Sequence, residues 1–283
     1  MTARSSVTGV CRLCLEHGPL TYEHVPPRKA FNSQRVAVYG IDRWLERDRG
    51  GLDRHDRILQ RGMGFQSLCE KCNNRTGSRY AAELVRWSRS VVPILADVDL
   101  AQLDDSPGVP RARWQARDVR PLLLAKQIAC MALAISGEAM PPLHPELRRF
   151  VLDPDRRGLP SQYPFFLALY AGPRSRTAAG AGVLNVDRHE DSVLWEVAHP
   201  PFAYMLSIGN LVPVPVGEIT HFASMEGDEQ LDVEIDTIIG FGHTALPADF
   251  RTLRRIDDER AENLRAAWAR GQAHCDAPKG ACR

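Results

Sequence analysis

The sequence predicts an α+β protein in two parts: a small N-terminal unit of strand, knuckle and helix, and a larger α+β domain with a mostly antiparallel sheet. Three observations predict it. Two Cys-x-x-Cys pairs, Cys11/Cys14 and Cys69/Cys72, bracket the first part. A nearly all-apolar stretch, Leu122 to Ile135, reads as a buried helix. Short strand-like runs then accumulate, and in the last of them Leu231, Val233 and Ile235 alternate with Asp232, Glu234 and Asp236, as in a sheet with one wet face.

Composition places the chain among globular proteins: 283 residues, 44% apolar and 25% charged. The longest wholly apolar run, Ile128 to Ile135, is far below the roughly 20 residues of a membrane span. The opening MTARSSVTGV lacks the apolar stretch of a secretory signal, so a cytoplasmic location is expected and the cysteines should be thiols or metal ligands.

The elements follow in order. Two residues between cysteines let both sulfurs of a tight knuckle face one tetrahedral ion, and two such knuckles complete a four-sulfur Zn²⁺ shell. Cys11, Cys14, Cys69 and Cys72 are therefore read as ligands of one structural zinc, closed to substrate. After the Gly18-Pro19 turn, Leu20 to Val25 reads as a strand ending at Pro26-Pro27, with Glu23-His24 at its end. Asn73 follows the second knuckle directly, and Tyr80, Leu84, Trp87 and Val91 recur at helical spacing in a helix expected to stop before Pro93.

At these residues the chain resembles the HNH nuclease superfamily, in its zinc-knuckle branch with Cys-x-x-Cys, then an acid and His, then Cys-x-x-Cys-Asn. The resemblance covers about residues 8–92. It implies a ββα-metal fold and a metal-dependent endonuclease with His24 as general base and Glu23 and Asn73 holding a divalent cation, Mg²⁺ or Mn²⁺. A histidine suits the first task and oxygen donors the second. The chain has Glu23 where many members have Asp, and it lacks the loop-constraining Asn that many place shortly before the second knuckle, in the run Gly62 to Leu68. A nonenzymatic zinc-knuckle module that binds nucleic acid is the alternative.

Charge is polarised. Residues 1–90 hold 16 Lys/Arg against 9 Asp/Glu, a net +7, and residues 91–283 hold 20 against 26, a net −6. Nucleic acid is thus expected to meet the first part, and the resemblance to nucleases puts DNA ahead of RNA. Arg75 and Arg79 beside the proposed cation, with Arg28 and Lys29, are the phosphate-contact candidates. Residues 28–64 form an insertion whose basic and acidic residues fit either nucleic-acid contact or a solvated helix.

The domain plan is 1–92 for the nuclease-like unit, 93–118 for a linker, 119–270 for an α+β domain and 271–283 for a disordered tail. Asp118 is expected to cap the helix ending at Gly137. Strands are expected at Phe165–Tyr170, Ala181–Val186, Ser192–Ala198, Phe202–Ile208, Ile219–Ala223 and Leu231–Ile239, and a charged amphipathic helix at 257–270. His189, His199, His221 and His243 read as structural, Cys130 as packing, and His274, Cys275 and Cys282 as tail residues. The second domain is left for substrate, signal, a protein partner or a second copy.

Overall fold

The first cysteine pair lies in the turn between β1 (Thr8–Val10) and β2 (His17–His24), and the second pair joins β5 (Gly64–Cys69) to α1 (Glu70–Arg79). The computed structural model describes residues 7–38, 57–97, 111–170, 175–185, 190–208, 217–227 and 229–240. The helix expected at 257–270, the tail, His189, His243 and the middle of the insertion lie outside the described residues. The three strands form an antiparallel sheet in the order β1-β2-β5. The insertion contributes a small ribbon, β3 (Val36–Val38) with β4 (Arg57–Leu59).

The helical stretch after the second knuckle is two helices. Helix α1 has Cys69 as its N-cap and Tyr80 as its C-cap; α2 (Ala81–Asp97) then continues through Pro93 instead of stopping before it. A proline inside a helix costs about 3 kcal/mol. Val91, Val92 and Leu95, all buried around it, offset that cost. The stripe itself is as expected, with Tyr80, Leu84, Trp87 and Val91 at most 2% exposed.

The segment expected as a linker enters the sheet. Arg111–Val119 is β6, in which Trp114 and Ala116 face the core while Arg113, Gln115 and Arg117 face water. Asp118 does not cap the next helix, α3 (Pro121–Ile135); it has φ 54° in the strand, and its N–H donates to the Asp232 carboxylate. The capping acceptor is Glu83 of α2, whose Oε1 takes the Arg120 N–H at 3.0 Å. Two short helices, α4 (Met140–Leu143) and α5 (Pro145–Leu152), follow.

The larger sheet has β6, β12 (Leu231–Gly240), β7 (Phe165–Tyr170), β10 (Phe202–Ile208), β9 (Glu190–His199) and β8 (Arg176–Asn185) in that order, with β11 (Gly217–Glu218) beside β7. Its pairings are antiparallel except β12 with β7, so the fold is α+β with a mostly antiparallel sheet. The run Ile219–Ala223 is not a strand. It is a 3₁₀ turn, Thr220–Ser224, fixed by buried Phe222 and by the Phe165 N–H donating to Thr220 Oγ1.

Helix α3 lies at the centre, and one hydrophobic core runs from Cys11 and Leu13 through Trp87 to Phe202 and Ile235. Trp87 stacks on Phe202 with ring centroids 5.4 Å apart. Two arginines tie the first knuckle to the C-terminal helices: Arg12 Nε donates to the Ser136 carbonyl, and Arg148 Nε to the Leu13 carbonyl. Lys126, fully buried on α3, donates to the carbonyls of Phe150, Asp153 and Arg156 and so closes the C-terminal end of α5.

Candidate functional site

The four cysteine sulfurs converge. Cys11, Cys14, Cys69 and Cys72 Sγ all lie within 4.8 Å of one another, and Cys14 and Cys69 are 3.8 Å apart. Four thiolates about 2.3 Å from one tetrahedral ion stand roughly 3.8 Å apart, so the cluster can hold one metal ion such as zinc. Local chain geometry makes the knuckles. Leu15 takes a positive φ of 64°, returning its N–H to the Cys11 carbonyl, while the Cys11 N–H reaches the Glu16 carbonyl. Cys69 is the N-cap of α1 with no side-chain cap bond, and its N–H donates to Cys11 Sγ at 3.3 Å. An N–H aimed at sulfur and the positive end of α1 both favour the thiolate form a cation needs. The thiols share protons unevenly. The contact with Cys72 draws Cys11 down to about 4, whereas burial pushes Cys14 up to about 11.

Glu23, His24 and Asn73 sit beside this cluster. Thr21 and Glu23 share one face of β2 by the strand's period of two, and Tyr22 and His24 share the other. Asn73, one turn into α1, reaches the Thr21 face: its Nδ2 donates to Thr21 Oγ1 at 2.9 Å and to the Tyr22 carbonyl at 3.4 Å. The amide oxygen is left for another partner. The Glu23 carboxyl is 8% exposed, and burial alone raises it to about 7. No described residue forms a hydrogen bond or ion pair with it. A carboxyl and an amide oxygen on the same side of the strand are the donor types that a hard cation takes.

His24 is set up differently. Its Nε2 stands 2.9 Å from the Arg61 carbonyl, an acceptor, so Nε2 carries the proton and Nδ1 keeps the lone pair. Burial first, then the charges of Arg28 and Arg61, lower its pKa, which keeps the ring neutral near pH 7. A neutral imidazole with a bare nitrogen can accept a proton from water.

The basic candidates divide by place. Arg28, Lys29, Arg75 and Arg79 are all exposed; Arg75 and Arg79 ride on α1, and Arg28 lies near His24. Sequence reasoning counted Arg57 and Arg61 among the insertion's basic residues without singling them out as site residues, because only the return of the insertion to β5 brings them back to Tyr22 and His24. It missed Asn32. This buried side chain donates to the carbonyls of Pro26 and Met63 and accepts the Met63 N–H, all within 2.7 Å, and so clamps the loop after His24 to the start of β5. Gly62, at φ +97°, permits the clamp, since a Cβ there would lie 2.2 Å from the Asn32 carbonyl oxygen. An Asn that constrains this loop is thus present eight residues after His24.

Elsewhere, Cys130 is wholly buried in α3. His199 accepts a hydrogen bond from Ser175 on Nδ1 at 2.5 Å and meets the Phe31 backbone, a structural role. His221 is exposed and packs edge-on to Phe222. Among the described residues no helix is long and apolar enough to cross a membrane. Comparison of the chain with protein families, with characterised proteins and with solved structures returns no match.

Proposed function

We propose that this protein is a metal-dependent endonuclease of the HNH kind, hydrolysing phosphodiester bonds of nucleic acid, with DNA ahead of RNA as substrate. One observation carries the reading. At the end of one strand, a buried carboxyl and a neutral histidine, which among the described residues have no counter-charge and no partner on Nδ1 respectively, lie on opposite faces, and Asn73 reaches the carboxyl's face. Binding alone would need none of these three groups. A divalent cation such as Mg²⁺ or Mn²⁺ at Glu23 and Asn73 would neutralise charge on the phosphate and on the leaving oxygen.

The chain's own residues supply the rest. His24 Nδ1 takes the proton of the attacking water, and the Arg61 carbonyl holds the ring in the required tautomer through Nε2. Arg75, Arg79, Arg28 and Lys29, all exposed, would hold the phosphate backbone. The four-cysteine zinc site fixes the turn before β2 and the start of α1, the two elements that carry the catalytic groups. Thiolate ligation of this kind belongs in a reducing cytoplasm. Incubation of the full chain with supercoiled plasmid should give nicked or linear product only with Mg²⁺ or Mn²⁺. Absence of cleavage of both the plasmid and single-stranded DNA, with either cation, overturns the reading and leaves a zinc-knuckle binding module.

A further inference from the structure

Tyr22 is an aromatic ring left open to solvent beside the proposed base. It is 36% exposed, with its ring centroid 5.0 Å from that of His24 and nearly perpendicular to it. Two contacts hold the ring in place. Its hydroxyl donates to the Gly62 carbonyl at 2.8 Å, and the ring fills the space above Gly64, where a Cβ would come within 2.6 Å of it. The hydroxyl is therefore spent on the protein, in a residue that remains more than a third exposed. A Tyr in an ordinary surface strand would present its hydroxyl to water.

The surroundings are cationic. The Arg57 guanidinium acts on the Tyr22 phenol, and Arg28 and Arg61 act on His24. Ile58 of β4, also 36% exposed, adds apolar surface next to Arg57. A partly exposed, tethered ring near Arg57, beside a histidine that Arg28 and Arg61 approach, has the makings of a platform for an unpaired nucleobase: the π-face stacks and the guanidinium groups take the flanking phosphates. A base inside a duplex is already stacked on both faces and cannot use it.

We propose that Tyr22 stacks a base next to the scissile phosphate, so that the substrate class is an unpaired strand or splayed end rather than continuous duplex. This rests on the endonuclease reading for the meaning of "scissile" but not for the binding. The probe is a fluorescein-labelled 15-nucleotide single strand carrying 2-aminopurine, compared with the matching duplex, using the full chain without added Mg²⁺, Mn²⁺ or chelator. Wild type should favour the single strand and quench 2-aminopurine. Tyr22→Ala should weaken single-strand binding by about tenfold or more and abolish the quench, since one base stack on an aromatic is worth about that factor. Tyr22→Phe and Tyr22→Trp, which keep the ring, should retain both signals and control for misfolding.

Equal binding of strand and duplex by wild type, or unchanged quenching in Tyr22→Ala, overturns the inference even if the plasmid is cut. Conversely, Tyr22-dependent quenching in a protein that cuts nothing leaves the platform standing and removes the nuclease.

Discussion

Glu23 and His24 are neighbours in sequence, yet burial acts on them in opposite senses: it raises the acid and lowers the base, so both tend toward neutrality at the same pH. His24→Ala should therefore lower plasmid cleavage by about 10² to 10⁴-fold while nucleic-acid binding stays near wild type. Glu23→Ala and Asn73→Ala should instead respond to raised Mn²⁺, a rescue that His24→Ala does not show. His199 offers a second test at this scale. Burial drops its pKa to about 4 in the folded chain, against an ordinary value near 6.5 when unfolded. The folded protein thus binds fewer protons between those values, and its stability should fall as pH drops from about 6.5 toward 4. Urea midpoints across that window should show the slope, and His199→Gln should flatten it.

At the scale of elements, the knuckles and Asn32 do the positioning. Cys11 and Cys14 lie in the turn before β2, while Cys69 and Cys72 lie at the end of β5 and in the first turn of α1, so a metal ion held by the four sulfurs would tie together the strand with Glu23 and His24 and the helix with Asn73. Elemental analysis should find about one zinc per chain, and Cys69→Ser should lose it along with ordered structure around β2 and α1, because such sites supply folding free energy. Asn32 satisfies three backbone groups from one side chain. Asn32→Ala leaves them unpaired in a buried loop and should cost about 3 kcal/mol by denaturant unfolding, with zinc content unchanged.

On the scale of the whole molecule, the N-terminal unit does not keep its apolar surface to itself. Trp87 stacks on Phe202 and lies 6.1 Å from Trp114, Tyr80 Oη donates to the Val151 carbonyl, and Glu83 caps α3. Removing residues 98–283 would expose the Trp87 face of α2 and leave Glu83 without its partner. The fragment 1–97 should therefore aggregate or show no cooperative unfolding by circular dichroism, even with zinc. In the full chain, Trp87→Ala should cost about 3 to 5 kcal/mol, and the loss should lower a single unfolding transition rather than split it in two.

The sequence by itself determined whatever depends on near neighbours. The two Cys-x-x-Cys spacings identify the four sulfurs that converge, the stripe Tyr80, Leu84, Trp87 and Val91 identifies the buried face of α2, and the runs Phe165–Tyr170 and Phe202–Ile208 are strands at their expected bounds. Local periodicity and ligand spacing act over a few residues, so they can be read directly. Only the tertiary structure decided the rest, because each of those features joins residues far apart in the chain. Glu83 replaces Asp118 as the cap of α3 across 37 residues, and Asn32 supplies from 31 residues away the clamp missing beside the second knuckle. β6 pairs with β12 in a segment whose arginines hid the alternation, and α2 crosses Pro93 because the core on both sides is worth more than the proline costs. The open ring of Tyr22 is of the same kind, since its hydroxyl partner and the glycine beneath it come from the far end of the insertion.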